Sequence, residues 1–209
     1  MHLRADTLDP ESSYKLLMGS VVPRPIAWIT TLAANGGVNL APFSAFTYVS
    51  VKPPMLGVSV MRRGEALKDT ATNIHTRREF VVNIADFPLV EPLHLSSIEH
   101  PAEVSEVELL GLATAPSTIV RTPRLALAPI ALECRLERVL EFGDTGAQFI
   151  VGEVLMFHVR DDLLDDGKID TRRLNPIARI GGPNYAPLGE IVTQIPIAQT
   201  AKTVLRRSR

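Results

Sequence analysis

Apolar residues fall in short bursts cut by turn residues rather than along helical stripes. Ile26 to Leu32 (Ile-Ala-Trp-Ile-Thr-Thr-Leu) is one burst, rich in β-branched and aromatic residues and preceded by Pro23 and Pro25. Ala34-Asn35-Gly36-Gly37 then predicts a hairpin turn, because Asn and Gly adopt positive φ at little cost. A second strand is expected from Val38 to Ser50, with Pro42 inside it. Proline cannot donate to a ladder, so Pro42 marks an edge, a bulge or a ligand-facing break. Pro53-Pro54 makes the next turn, and Met55 to Met61 a third strand.

Leu67 to Arg77 has a helical pattern, with Ala71 and Ile74 on one face and Asp69 or Thr70 available as N-cap. Phe80 to Ile84 reads as a short buried strand, while Phe87 to Ser97 and Glu103 to Leu110 read as helical or irregular. Ile130, Leu132, Cys134 and Leu136 alternate with Ala131, Glu133, Arg135 and Glu137, the period of a half-buried strand. Gly143-Asp144-Thr145-Gly146 turns the chain into a long last strand, Ala147 to Val159, and Asp161 to Arg173 is charged and turn-like. Six or seven strands joined mostly by hairpin-sized turns, with few helices between, predict a mainly β fold with flanking helices: a closed antiparallel barrel. A doubly wound sheet would need a helix between most strands. One domain is expected over residues 1–209, with residues 187–209 as a polar C-terminal tail ending Arg206-Arg207-Ser208-Arg209. That basic end reads as a solvated terminus, since nothing aromatic is interleaved with it.

Composition narrows the class. The balance of 22 basic against 23 acidic residues leaves no overall field to hold a nucleic acid or an anionic membrane. No apolar run reaches bilayer-spanning length, so no membrane partner is expected. Met1 to Pro10 carries Arg4, Asp6 and Asp9 instead of an apolar stretch, so no signal peptide is expected either. The single cysteine, Cys134, excludes an internal disulfide and fits a reducing cytosol, giving a cytoplasmic expectation.

Several chemistries lack their motif. There is no G-x-G-x-x-G after a strand, no P-loop and no G-x-S-x-G elbow. His2, His75, His94, His100 and His158 show no metal-ligand spacing and read as surface or satisfied side chains, so no metal is expected. Cys134 on the apolar face of a strand reads as a buried, inert thiol.

Three segments remain. Arg24-Pro25-Ile26-Ala27-Trp28-Ile29-Thr30-Thr31 is a strand ending in two hydroxyls, though Thr30-Thr31 alone is merely good strand composition. In Asn39-Leu40-Ala41-Pro42-Phe43-Ser44 small and polar residues interrupt a strand, which alone could be a bulge. Lys68-Asp69-Thr70, after Arg62, Arg63 and Gly64, opens a helix. Alone it is a capped surface helix; with free N–H groups, a hydroxyl and a lysine it also suits a phosphate monoester.

Together and in order, with Asn73 and the late Arg179-Ile180-Gly181-Gly182-Pro183-Asn184-Tyr185, these segments resemble the flavin reductase-like family, and the late one its flavoredoxin-like branch. The likeness runs from about Tyr14 to Tyr185. It implies an FMN-binding split β-barrel, usually a homodimer, in which the flavin carries the chemistry and no protein residue need be catalytic. The implied cofactor-binding residues are Arg24, Trp28, Thr30, Thr31, Asn39, Ala41, Pro42, Phe43, Ser44, Arg62, Lys68, Asp69 and Thr70. Ala41, Pro42 and Ala45 would let backbone approach the ring; Thr30, Asn39 and Ser44 would meet the ribityl chain; Lys68, Thr70 and Arg62 would meet the phosphate. Arg179, Asn184 and Tyr185 are the candidates for the open ring face, with Phe46 better read as packing. The implied activity is transfer of electrons from NADH or NADPH through FMN to a second acceptor, such as a monooxygenase component. Alternatives are an electron-transfer flavoprotein with little NAD(P)H oxidation of its own, and a barrel that binds an aromatic ligand without redox turnover.

Overall fold

The run at Ile26–Leu32 is apolar throughout because its strand has a core on each side. In the computed structural model, which describes residues 1–195, this strand (β1, Ala27–Leu32) puts Ala27 and Ile29 into one buried cluster. It puts Trp28 into a second, with Ile26, Leu40, Leu93 and Leu125. The first cluster lies between the sheet and a helix; the second lies under the segments that follow residue 85. The basic end Arg206 to Arg209 lies outside the described residues.

β1 pairs with β2 (Val38–Phe43) through the Asn35-Gly36 turn, where Gly36 has φ +86° and the Asn35 side chain accepts from the Gly37 N–H at 2.9 Å. The expected single strand to Ser50 is two strands. The chain breaks at Ser44-Ala45, directly after Pro42 and Phe43, and resumes as β3 (Phe46–Val51). β4 (Pro54–Val60) follows. Ahead of the sheet stands α1 (Pro10–Ser20), capped by Asp9, whose carboxylate accepts from the Ser12 N–H at 2.8 Å. α1 buries none of its residues. α2 (Asp69–Arg77) buries Ala71 and Ile74 as expected, and ends where Arg78 turns left-handed at φ 61°. β5 (Glu79–Ile84), α3 (Val90–Leu95) and α4 (Glu106–Leu109) come next. β6 (Ile130–Phe142) and β7 (Ala147–Val159) form one long hairpin of 13-residue strands. Asp161–Arg173 contains a 3₁₀ turn and a two-residue hairpin, and opens into the short helix α5 (Thr171–Leu174).

The seven strands form one antiparallel sheet in the order β2-β1-β5-β6-β7-β4-β3. No ladder joins β2 to β3, so the expectation of a closed barrel is corrected to an open, curled sheet. The cause is the Pro42 to Ala45 break. β2 and β3 are consecutive in the chain and lie at opposite edges of the sheet, so the sheet must coil to bring its edges to one corner. Two register shifts in the β6–β7 hairpin supply part of that coil. At the corner, the Ser59 N–H of β4 donates to the Ala45 carbonyl at 2.8 Å.

The half-buried reading of β6 also needs correction, since Ala131 and Glu133 on the supposed wet face are buried. The segment 117–122 covers them. Glu133 accepts the backbone N–H groups of Thr118, Ile119 and Val120, and Glu79 those of Arg121 and Thr122. Burial alone would raise the Glu133 pKa; His158 at 2.5 Å and the three N–H groups outweigh it and bring it down to about 2. Burial, reinforced by the Glu133 charge, pushes the Cys134 thiol up, which agrees with an inert cysteine. Among the described residues no helix is long and apolar enough to cross a membrane.

Two outcomes follow from this packing. A Cβ at Gly152 would lie 2.4 Å from Phe80 Cζ, deep in the first cluster. Gly152→Ala should therefore cost about 1–3 kcal/mol of stability by overpacking, read from urea unfolding; an unchanged midpoint would refute the contact. Glu133 has a folded pKa below its ordinary 4.5, so its stabilisation is full above that value and is lost as pH falls towards about 2. It amounts to about 3 kcal/mol. Glu133→Gln should be less stable at neutral pH and lose less than the wild type between pH 5 and pH 2; parallel acid titrations would sink the assignment.

Candidate functional site

The start of α2 faces β2 across a small cavity of about 120 Å³, lined among others by Asn39, Pro42, Arg63, Lys68, Thr70 and Ser97. Ala41, Phe43, Asp69, His100 and Glu106 border it too. The expected N-cap, Asp69 or Thr70, is corrected: both lie inside the helix, Lys68 occupies the N-cap position, and no side chain caps the helix there. The first N–H groups of α2 are thus left for a ligand or solvent, with the positive end of the helix dipole behind them.

Beneath this helix start lies a buried hydrogen-bond network. Asn39 Nδ2 donates to Thr70 Oγ1 at 3.0 Å and to Thr31 Oγ1 at 3.3 Å, and Asn73 Nδ2 donates to Thr31 Oγ1 at 3.0 Å. Because both threonine oxygens accept from amides, their own hydrogens remain free to donate. Thr70 therefore offers an O–H donor beside Lys68. On the far side, Glu106 accepts the Leu40 N–H at 2.9 Å, and burial raises its pKa against that bond. Arg63 pairs with Glu99 at 3.0 Å.

Asn39, Ala41, Pro42, Phe43, Lys68, Asp69 and Thr70 of the expected set thus meet at one cavity, with Thr31 supporting it from below. The others lie elsewhere. Trp28 is fully buried on the opposite face of β1 and donates its indole N–H to Ser96 Oγ at 2.9 Å. Thr30 shares that face and donates to the Pro123 carbonyl at 2.7 Å. Arg62 was expected with Lys68; it instead reaches the β6–β7 turn, donating to the Gly146 carbonyl at 3.1 Å and pairing with Glu141. Its neighbour Arg63 stands at the cavity in its place, because adjacent residues of an extended segment point to opposite sides. Arg24 donates to the Met18 and Val21 carbonyls and, at 3.3 Å, to Ser44 Oγ at the sheet corner.

Arg179 and Tyr185 belong to a small three-stranded sheet made of Arg24–Pro25, Ala178–Arg179 and Tyr185–Ala186. The Arg179 guanidinium lies 4.6 Å from the Tyr185 ring centroid and donates to its hydroxyl. That hydroxyl also meets His94 Nδ1 at 3.0 Å. Asn184 is exposed, its amide donating to the Gly181 carbonyl, and Phe46 packs against the first cluster. His94, Arg63 and Ser97 were missed by sequence reasoning, since no local motif marks a residue that reaches its neighbours only through the fold. An apolar cavity of about 560 Å³ lies beside the small sheet, lined by Pro25, Leu93, Ile177, Ala178 and Ala186 among others. Among the described residues no group of three or more His, Cys, Asp or Glu could hold a metal.

An open antiparallel sheet coiled onto its own corner, with an uncapped helix start beside it, is a split-barrel architecture. The family model described as "Flavin reductase like domain" matches residues 18–175, and the chain belongs to that family. It is 44% identical over 195 residues to the uncharacterized protein BH2278 of Halalkalibacterium halodurans, covering 91% of this chain and 93% of that one. Among solved structures it is similar to nitrilotriacetate monooxygenase component B from Bacillus cereus, with TM-score 0.90 and 35% identity over 93% of this chain and 98% of that one. It is likewise similar to the 2-nitrobenzoate 2-nitroreductase NbaA of Pseudomonas fluorescens, with TM-score 0.85 and 33% identity over 96% and 100% of the two chains.

The network beneath α2 should carry stability of its own. Asn39→Ala removes donors from two buried hydroxyls and should cost about 1–3 kcal/mol, measured by urea denaturation of the free protein. A loss below about 0.5 kcal/mol would place it among ordinary surface substitutions.

Proposed function

We propose that the protein is an FMN-binding oxidoreductase that takes electrons from NADH or NADPH and delivers them to a second acceptor, such as a monooxygenase component. The observation that carries this reading is the uncapped start of α2, with Lys68 as its N-cap and the Thr70 hydroxyl free to donate. A cavity of about 120 Å³ suits a phosphate group and not a ring system. The donor set fits FMN: N–H groups, an ammonium and a hydroxyl for the phosphate, and small residues at Ala41 and Pro42 beside it. FMN, when bound, supplies the two-electron chemistry, and the chain positions it.

In this reading Lys68 and Thr70 hold the phosphate, and Asp69 borders it. Asn39 and Thr31 keep the Thr70 hydroxyl turned outward. Ala41 to Ser44 present backbone to the flavin edge, with Arg24 fixing Ser44. Trp28 and Thr30 brace β1 from behind rather than touching the cofactor. Arg179, Asn184 and Tyr185 line the side on which the second substrate enters. The family membership and the two similar structures, both over 30% identical and both named for redox systems, support the assignment. The likeness to a nitroreductase supports a second reading, in which the acceptor is a nitroaromatic compound reduced on the protein itself.

The chain is further proposed to act as one cytoplasmic domain and as a homodimer. α1 exposes Tyr14, Leu16 and Leu17, and the edge strand β3 exposes Tyr48, Val49 and Val51, an apolar surface that a second copy would cover.

Lys68→Ala separates the phosphate role from a merely solvated helix cap. FMN affinity should fall by about ten- to a hundredfold, from the loss of a charge-assisted bond of about 1.5–3 kcal/mol, while riboflavin affinity stays the same. Flavin fluorescence titration of both ligands on both proteins reads the difference. Equal losses for the two ligands would put the phosphate elsewhere.

A further inference from the structure

The small sheet sets two arginines opposite each other. Arg24 is the cross-strand partner of Arg179, and Arg179 of Tyr185, so the three side chains form a row on one face. The other row, Pro25, Ala178 and Ala186, faces the apolar cavity. Like charges directly opposite on neighbouring strands are destabilising, and a carboxylate beside them would offset the repulsion. Here there is none: among the described residues neither Arg24 nor Arg179 has a carboxylate within 4.0 Å. Residues 196–209 contain no Asp or Glu that could supply one. Arg24 is 6% exposed and leans on two carbonyls and Ser44. Arg179, half-buried, leans on the Tyr185 ring and hydroxyl. His94 adds a ring nitrogen in hydrogen-bond contact with the Tyr185 hydroxyl. The arginines' own partners are carbonyls, hydroxyls and a ring, so among the described residues the positive charge of the row is met by dipoles.

We propose that Arg179, Tyr185 and His94, backed by Arg24, form a binding site for an oxyanion carried by the second substrate, separate from the phosphate site at α2. Arg179 still has donors beyond the one spent on Tyr185, in a planar fork that suits a carboxylate or phosphate. Tyr185 accepts from Arg179, so its hydroxyl can donate either to His94 or to the anion. Two substrates could bring such a group: the pyrophosphate of a nicotinamide dinucleotide, or the carboxylate of an aromatic acid. The identity of the substrate rests on the function proposed above; the anion site itself rests on the charge row.

The test is calorimetric titration of the full-length protein with inorganic pyrophosphate and, separately, with benzoate. At least one should bind, and Arg179→Met should weaken it by about tenfold or more, with Arg179→Lys recovering part of the loss. FMN affinity should change less than threefold. The larger of the two losses names the source of the anion. His94→Leu, at an exposed position, gives a second reading if Arg179→Met does not fold, and should weaken the same anion by about threefold. Failure of both anions to bind, equal affinity in the variants, or a parallel tenfold loss of FMN would overturn the proposal, the last by assigning the row to the flavin. Unchanged FMN binding in Lys68→Ala would refute the phosphate placement and leave the anion result standing.

Discussion

Everything in this structure hangs on the break between Phe43 and Phe46. A chain that leaves one strand and enters the next two residues later would ordinarily make a hairpin. Here it makes the two opposite edges of a seven-stranded sheet. Pro42, which has no N–H to give a ladder, sits one residue before the break. The remaining strands must bridge those edges, so the sheet coils, and the long β6–β7 hairpin absorbs the coil through its two register shifts. The corner leaves Ser44 next to Arg24 and keeps Pro42 and Phe43 at the cavity under α2.

Positive charge is organised around that corner in two different ways. At α2 it is provided by backbone N–H groups and Lys68, with acidic neighbours nearby, one of which is paired with Arg63 and one bonded to the Leu40 N–H. At the small sheet it is provided by arginines whose neighbours are all dipoles. A helix end favours a compact anion, and a guanidinium fork a planar one.

Much of the fold was legible because short-range signals set it. The Asn35-Gly36 turn, the Gly143 to Gly146 turn and the helix beginning at Lys68-Asp69 stand where local chemistry puts them. What was not legible depends on distant parts of the chain. The alternation in β6 suggested one wet face, and only the covering segment 117–122 makes Glu133 interior. α1 was missed because it packs no buried face into the core: its apolar residues Tyr14, Leu16 and Leu17 stay exposed. Arg62 and Arg63 could not be told apart by sequence, since one residue of register decides which points to the cavity. Closure of the sheet was over-read for a similar reason: counting strands says nothing about whether the first edge finds the last.

The segment 118–122 has its own consequence. Five consecutive backbone N–H groups are taken up by the carboxylates of Glu79 and Glu133. The two acids act as a substitute for a neighbouring strand, and Glu79 also accepts the Thr122 hydroxyl at 3.1 Å. Proline, which has no N–H, is excluded at each of the five positions, and the buried Thr122 is held by its side chain as well. The two glutamates, contributed by sheet strands elsewhere, are what pins that loop in place.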